Sequence, residues 1–245
     1  MHGKDEIIIL TNEFESDGFK SLREKGMKTF HFPMIKTSIN VNNKLLNICD
    51  YDFYIFTSKN GVKYFSQNEI VKKQNPQNIK TISIGSKTEN LIKELKFDNV
   101  YTAKKNYSDK LSIELKNIGI INSKRVLLVQ GNLAKNKLSE NLEKFCYLTK
   151  FVAYNTEIVK KKNNQLEKLL NIADTYTVFT SPSSFKSFIS SYDANKTSII
   201  SIGDSTSLYI KSRGYNPLIT SKMQTYEGIS NSLISYFKKN NNGIS

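Results

Sequence analysis

The sequence is poor in the residues on which metal sites, disulfide scaffolds and histidine-based catalysis depend. Its 245 residues include only two cysteines, Cys49 and Cys146, and two histidines, His2 and His31. Two cysteines do not make a disulfide framework, and this set offers neither a zinc ligand group nor the base of a catalytic triad. We therefore predict no metal site and no histidine base. Both thiols are expected to be buried as small apolar groups.

Long apolar runs are absent as well. No stretch comes near the roughly 18 residues that cross a bilayer. The first six residues, Met-His-Gly-Lys-Asp-Glu, lack the apolar core of a secretory signal. We expect no membrane partner, and the cytoplasm is the expected location.

Arginine is scarce in a chain that is otherwise strongly basic. The formal net charge is +14, yet the arginines are only Arg23, Arg125 and Arg213. Such an excess favours a polyanionic partner: nucleic acid, acidic lipid or a carboxylate-rich small molecule. Proteins that read nucleic acid usually use arginine for bidentate contacts, and the many Lys-Asn tracts are typical of solvated faces. We therefore predict no nucleic-acid partner.

A short pattern that occurs twice carries most of the information in the chain. The first copy is Phe-Thr-Ser-Lys-Asn-Gly-Val at 56–62, followed by Ile-Gly-Ser-Lys-Thr at 84–88. The second is Phe-Thr-Ser-Pro-Ser-Ser-Phe at 179–185, followed by Ile-Gly-Asp-Ser-Thr at 202–206. Each copy predicts a strand, a hydroxyl-rich turn and a helix, then a second strand ending in glycine. Two such units imply two similar halves and a ligand that contacts both.

Strands alternate with short helices along the whole chain, which predicts an α/β fold with parallel sheets. The segments follow an A-B-A-B order. Segment A, strand-helix-strand, covers 6–35 and 125–158, and segment B, which contains the repeat, covers 51–115 and 175–237. Tandem pairing of these segments would place a domain boundary near Asn122. Nested pairing would build one domain from the middle segments and the other from both chain ends, and the pattern fits either.

Both hydroxyl turns lie where ligands of open parallel sheets bind, beyond the carboxyl ends of strands. Helix N-termini favour anions through their free N–H groups and the helix dipole, so an anionic ligand is predicted there. Gly85 and Gly203 would allow a close approach of that ligand. Neither turn carries a GxGxxG or GxxxxGK[ST] pattern, and dinucleotide or ATP binding is therefore not indicated.

These residues resemble the uroporphyrinogen-III synthase family of tetrapyrrole biosynthesis. The resemblance rests on both copies of the repeat, and continues through Val-Ala-Tyr-Asn-Thr at 152–156 and through Thr225 with Glu-Gly-Ile at 227–229. It covers almost the whole chain in the right order. The family often carries arginine where this chain has Asn12 and Gln130, so a charge contact is not expected at those two positions.

The resemblance implies two flavodoxin-like or Rossmann-like parallel-sheet domains, joined by two extended linkers in a nested chain topology. Residues 1–34 and 159–245 would form one domain, residues 38–153 the other, and the linkers would lie near 35–37 and 154–158. The implied activity is that of a lyase that cyclises hydroxymethylbilane, a carboxylate-rich linear tetrapyrrole, with inversion of the last pyrrole ring and loss of water. No metal or organic cofactor is implied. We expect a monomer, with the preceding hydroxymethylbilane synthase as the one candidate protein partner.

The resemblance also implies roles for particular residues. Tyr154 is the candidate proton donor or positioner at the leaving hydroxyl, and the alternative is a linker tyrosine that only bridges the domains. Substrate binding falls to residues of the repeated turns: Thr57, Ser58, Asn60, Gly85, Thr88, Thr180, Ser181, Ser183, Gly203 and Thr206. Lys59, Lys87 and Lys186 would add positive charge there.

Two functions of other classes compete with the synthase. One is a non-enzymatic two-domain α/β module that binds an anionic small molecule. The other is a basic nucleic-acid-binding protein, which would show steeply salt-dependent binding to duplex DNA.

Overall fold

The computed structural model describes residues 6–41, 47, 50–103, 108–172 and 174–241. Two of the residues discussed above, His2 and Cys49, lie outside these ranges. The chain divides into two compact units, Met1–Lys36 with Glu157–Ser245, and Thr37–Thr156. We call the first the terminal unit and the second the middle unit.

The terminal unit is built around a five-stranded sheet with the order β11-β10-β9-β1-β2. Every neighbouring pair in this sheet is parallel. Its elements are β1 (Ile7–Leu10), α1 (Lys20–Glu24), β2 (Lys28–His31), α7 (Asn164–Ile172), β9 (Thr175–Phe179), α8 (Pro182–Ile189), β10 (Ser198–Ser201), α9 (Asp204–Ser212), β11 (Ile219–Thr220) and α10 (Tyr226–Asn241).

The middle unit contains a six-stranded sheet with the order β3-β8-β7-β4-β5-β6. The β8-β7-β4-β5-β6 part is parallel throughout. The elements are β3 (Ile35–Ile39), β4 (Phe53–Phe56), α2 (Lys59–Ser66), α3 (Glu69–Lys72), β5 (Lys80–Ile84), α4 (Ser86–Glu94), β6 (Asp98–Ala103), α5 (Ser108–Ile118), β7 (Arg125–Gly131), α6 (Lys137–Leu142) and β8 (Tyr147–Ile158). Strands β3 and β8 continue across the borders between the two units.

Both faces of each sheet are covered by apolar side chains, which explains why β1 and β4 are apolar at every position. In β4, Tyr54 and Phe56 pack with residues of α2 and α4, whereas Phe53 and Ile55 pack with residues of α5 and α6. In the terminal unit, Ile9 joins the cluster formed with α7 and α8 on one face. Successive side chains of a strand point to opposite faces, so such strands need apolar residues throughout.

The predicted α/β class with parallel sheets is confirmed, and both copies of the repeat form a strand, a turn and a helix as predicted. The first segment A was predicted to end in a single strand that reaches residue 35, but its last strand, β2, ends at His31, and Ile35 begins β3, which belongs to the other sheet. The segments predicted as linkers, 35–37 and 154–158, lie within β3 and β8. Helix α7 has no counterpart among the predicted elements.

Cys146 is buried and free, as predicted for this thiol. Burial, with a smaller contribution from nearby Glu143, raises the pKa of the thiol to about 11. Its sulfur donates a hydrogen bond to the carbonyl oxygen of Leu142 at 3.3 Å. A thiol of this kind stays protonated at neutral pH and is a poor nucleophile. Cys146 therefore has a packing role in the middle unit.

Within the described ranges, no helix is long and apolar enough to cross a membrane. The same residues contain no group of three or more His, Cys, Asp or Glu side chains placed to hold a metal ion.

Helix α7 gives a direct test of the core of the terminal unit. Leu166 is fully buried in it, and Leu166→Ala should lower the free energy of unfolding by about 2–5 kcal/mol, because it removes apolar contacts and leaves a cavity. Leu208→Ala is the matched control, since Leu208 is 62% exposed on α9 and its loss should change stability by less than about 0.5 kcal/mol. Denaturant midpoints would measure both variants. Equal midpoints for the two would contradict this account of α7.

Candidate functional site

The carboxyl ends of parallel strands meet at one edge of a sheet, and the predicted site residues follow strands at that edge in each unit. In the middle unit, Thr57 and Ser58 come after β4, and Gly85 follows the neighbouring strand β5. In the terminal unit, Thr180 and Ser181 come after β9, and Gly203 follows the neighbouring strand β10. The structure thus brings together the predicted residues of each repeat copy within its own unit.

The turn of the middle unit is fixed by a helix cap. Ser58 precedes α2 with an extended backbone, and its hydroxyl accepts a hydrogen bond from the amide of Gly61 at 3.1 Å. A helix leaves its first four amides without intrahelical partners, and the serine satisfies only one of them. The amides of Lys59 and Asn60 begin the same helix, with Asn60 half-buried and the Lys59 side chain exposed. This helix start has the donors and the dipole that favour an anion.

The turn of the terminal unit repeats this cap in detail. Ser181 precedes α8 with φ −161° and ψ 157°, against −157° and 154° for Ser58, and its hydroxyl accepts from the amide of Ser184 at 3.1 Å. In return, the amide of Ser181 donates a hydrogen bond to the hydroxyl of Ser184, and the two bonds together form a capping box. The hydroxyls of Ser181 and Ser183 lie 3.0 Å apart. Residues 180–184 therefore form a rigid polar turn rich in hydroxyl groups.

Only the first of the two glycines in the second turns is required by its backbone conformation. Gly85 has φ +76°, a conformation that side-chain-bearing residues rarely adopt. Gly203 has an extended backbone open to any residue, but a β-carbon there would lie 2.6 Å from Cγ of Gln224. The threonines that follow, Thr88 and Thr206, are only 4% and 2% exposed. Their side chains therefore pack inside the units, next to the helix starts.

Tyr154 is held against the turn of the middle unit. Its phenol oxygen lies 3.2 Å from the hydroxyl of Ser58, and either group can donate in this hydrogen bond. Burial raises the pKa of Tyr154, with a smaller upward contribution from Tyr64, and the bond to Ser58 opposes the shift. The phenol therefore stays protonated at neutral pH. It is a hydrogen-bond donor placed at the start of α2.

A glycine at the end of β7 makes room for this tyrosine. A β-carbon at Gly131 would lie 2.6 Å from Cζ of Tyr154 and 2.9 Å from its hydroxyl oxygen. The register of β7 against β8 shifts between Gln130 and Gly131, so that Gly131 pairs with Tyr154 itself. The ring of Tyr154 thus lies over the backbone of β7 at Gly131, where there is no room for a side chain.

Two residues that the sequence did not indicate complete the surroundings of Tyr154. Tyr64 stacks on its ring with centroids 5.5 Å apart and an angle of 23° between the planes. The hydroxyl of Tyr64 lies 2.8 Å from the Thr37 hydroxyl in β3. The sequence signal for Tyr64 was only an aromatic residue on the apolar side of α2, a pattern typical of any core residue.

Asn12 and Gln130, the two positions at which no charge contact is expected, both have buried side chains. Asn12 is 1% exposed, and its side-chain nitrogen donates to the carbonyl of Phe14. Its Oδ1 has no hydrogen-bond partner among the described residues. The backbone oxygen of Asn12 lies 2.7 Å from Nε2 of His31, and because a carbonyl only accepts, this nitrogen carries the proton. Gln130 is 7% exposed within β7.

A cavity of about 600 Å³ lies at the opposite edge of the middle sheet, where β7 and β8 begin. Its lining residues are Asp50, Tyr51, Arg125, Tyr147, Leu148 and Thr149. The backbone amide of Arg125 donates to Asp52 at 2.9 Å, and this bond, with the guanidinium, lowers the pKa of Asp52. None of the predicted site residues borders this cavity.

Comparison with known sequences identifies one family. The family model described as uroporphyrinogen-III synthase HemD matches residues 19–231. A curated relative, the porphyrin biosynthesis protein HemD of Ruminiclostridium josui, is 27% identical in an alignment of 200 positions that covers 75% of this chain and 39% of that protein. The chain thus spans about two fifths of the length of this relative.

Solved structures with a similar fold cover nearly the whole chain. The uroporphyrinogen-III synthetase of Helicobacter pylori superposes with a TM-score of 0.65 at 19% identity, covering 94% of this chain and 99% of that one. A mutant uroporphyrinogen III synthase of Thermus thermophilus gives a TM-score of 0.66 at 12% identity, covering 96% and 99%. At such low identities, the similarity shows the fold.

Gly131 offers a test of the packing around Tyr154. Gly131→Ala should displace the tyrosine ring and lower the free energy of unfolding by about 1–3 kcal/mol, because overpacking forces the neighbours to move. Gly61→Ala is the matched control, since the nearest atom to its added methyl, the Val129 oxygen, lies 3.4 Å away. Urea denaturation would measure both. A Gly131→Ala variant as stable as the Gly61→Ala variant would show that the ring is not confined there.

Proposed function

Since this chain belongs to the uroporphyrinogen-III synthase family, we propose that it converts hydroxymethylbilane into uroporphyrinogen III. The linear tetrapyrrole closes with inversion of its last pyrrole ring and loss of water, without a cofactor. The observation that carries the proposal is Tyr154, a protonated phenol bonded to the helix-capping Ser58 within a chain that matches the family over residues 19–231.

The repeated turns are proposed to bind the carboxylates of the substrate. In the middle unit these are Thr57, Ser58, Asn60, Gly85 and Thr88, and in the terminal unit Thr180, Ser181, Ser183, Gly203 and Thr206. The matched caps of α2 and α8 support this assignment, because each presents hydroxyl groups and amides at a helix start. Thr88 and Thr206 are almost fully buried and would act by shaping the helix starts. Lys59, Lys87 and Lys186, all exposed, would add positive charge.

Tyr154 is proposed to donate a proton to the leaving hydroxyl. The hydroxyl departs as water, and the electron-rich pyrrole supplies the electron pair that forms an azafulvene. A substituted carbon of the last ring then attacks, and the resulting spiro intermediate reopens and recloses with that ring inverted. A phenol is a weak acid, and burial makes Tyr154 weaker still. Its hydrogen bond would therefore assist a departure that is driven mainly by the pyrrole.

Most of the catalysis in this proposal comes from positioning. The substrate can close spontaneously without inversion, so the protein must hold the chain in the shape that leads to the inverted ring. Holding reacting groups in a productive geometry lowers barriers without any strong acid or base. The scarcity of histidine in the sequence fits this mode of catalysis.

The substrate of this reaction is unstable in water. The instability of hydroxymethylbilane favours its capture beside the enzyme that makes it, so we propose that the protein acts near hydroxymethylbilane synthase. We also propose that it is a monomer and that it acts in the cytoplasm.

Residues near 35–37 and 154–158 are proposed as the linkers between two domains, one formed by 1–34 with 159–245 and the other by 38–153. The division of the chain near residues 36 and 156 supports these boundaries.

The activity is tested with freshly made substrate. Hydroxymethylbilane synthase would generate hydroxymethylbilane in the presence of the purified protein, and the oxidised products would be separated by chromatography. We expect the type III isomer in excess over the enzyme-free blank. Formation of the type I isomer alone, as in the blank, would refute the proposal. Binding of the substrate without turnover would instead support a non-enzymatic module.

Tyr154→Phe tests the role of the phenol. This change removes the hydroxyl and its bond to Ser58 while leaving the ring. It should lower kcat about 10- to 100-fold, which is at or below the lower limit of what general acid catalysis usually contributes, because a buried phenol is a weak acid. Tyr147→Phe is the matched control, because Tyr147 lies on the same strand, is 70% exposed, and should retain full activity. Initial rates of type III formation would measure both. Full turnover by a folded Tyr154→Phe variant would remove Tyr154 from the mechanism.

A further inference from the structure

We propose that Tyr64 is a positioning residue, which fixes the ring of Tyr154 so that its hydroxyl faces the start of α2. This inference rests on the proposed function of Tyr154. The two rings stack with centroids 5.5 Å apart and planes 23° from parallel. Tyr64 is 8% exposed and belongs to the apolar cluster on this face of the middle sheet, whereas Tyr154 packs on the margin of that cluster. The more deeply buried ring therefore serves as the platform for the less buried one.

The platform is itself anchored at its polar end. The hydroxyl of Tyr64 lies 2.8 Å from that of Thr37 in β3, and this pair is buried. A buried phenol needs such a partner, because an unsatisfied hydroxyl costs about 1–3 kcal/mol. The bond therefore sets how far the Tyr64 ring extends from α2, and hence where the stacking surface for Tyr154 lies.

Three contacts then confine the Tyr154 ring from different sides. Tyr64 covers one of its faces, the missing side chain of Gly131 leaves the space that the ring occupies over β7, and Ser58 bonds its hydroxyl. A tyrosine side chain has two rotatable angles, so a fixed face and a fixed hydroxyl leave it little freedom. Ser58 is also the cap of α2, the helix that carries Tyr64 six residues later. One short helix thus supplies both the partner of the hydroxyl and the platform of the ring.

Ordinary core packing would give a different outcome on substitution. If Tyr64 only filled the core, its substitution would affect activity through stability alone, and substitution of any other buried tyrosine would have the same effect. A positioning residue changes the state of Tyr154 itself. Removal of the Tyr64 ring would admit water to Tyr154 and remove a nearby phenol, and both changes lower the raised pKa of Tyr154 toward its usual value near 10.

The experiment compares Tyr64→Leu, Tyr64→Phe and Thr37→Val with the parent protein. Tyr64→Leu removes the stack, and we expect kcat to fall about 10-fold while KM changes less than about 2-fold, since positioning acts on the reacting geometry. Tyr64→Phe keeps the stack and should restore kcat to within about 3-fold of the parent. Thr37→Val also keeps the stack and should match Tyr64→Phe in kcat, but it should be less stable, because it leaves the buried Tyr64 hydroxyl without this partner. Tyr192→Leu is the control for stability, as Tyr192 is 9% exposed in the core of the terminal unit.

A second measurement observes Tyr154 directly. The 13 tyrosines would be labelled with ¹³C at Cζ, and the resonance of Tyr154 assigned from its loss in Tyr154→Phe. In Tyr64→Leu this resonance should shift and titrate at lower pH than in the parent, whereas Tyr192→Leu should leave it unchanged. An unaltered titration in folded Tyr64→Leu overturns the inference, whatever the activity. If Tyr154→Phe is fully active, the proposed role of Tyr154 fails, and the resonance still decides whether Tyr64 positions the ring.

Discussion

Parallel strand pairing is the constraint on which the rest of this structure depends. Parallel neighbours cannot be joined by a hairpin, so consecutive strands of the same sheet must be joined by a crossover that returns the chain to the same starting edge. The crossovers cover both faces of each sheet, which is why β4 is apolar at every position from Phe53 to Phe56. They also make the strand ends converge. The capped turns directly follow β4 and β9, so they lie at the edge of each sheet where the parallel strands end.

The surroundings of Tyr154 show how a chain with few ionisable groups can still build a defined polar site. The phenol obtains its environment from a serine cap, an aromatic neighbour and a glycine. None of these is charged, and each fixes a different degree of freedom of the ring. Burial keeps the group protonated, which preserves it as a donor but weakens it as an acid. Such a site favours reactions in which geometry matters more than proton-transfer strength.

The sequence predicted the fold class and the two hydroxyl-rich turns, because short apolar runs and clusters of Ser and Thr are local signals. It did not predict α7, since the polar tract before it hid the helix start. In the structure Asn163 caps that helix, and Leu166 and Leu170 form its buried side. The stacking of Tyr64 on Tyr154 joins residues far apart in the chain, and no local pattern encodes such a pair. Likewise, nothing near Gly203 indicates that Gln224 lies against it.

Strands β3 and β8 are neighbours in the six-stranded sheet, and the amide of Asn40 donates to the carbonyl of Ala153 at 3.0 Å. The chain thus enters and leaves the middle unit through adjacent strands. Closely spaced ends are the geometric condition under which one domain can be inserted into a loop of another, and under which circular permutation is tolerated. The middle unit is therefore an insertion in the chain of the terminal unit, and its sequence can diverge or be exchanged without changing the path of the chain in the terminal unit.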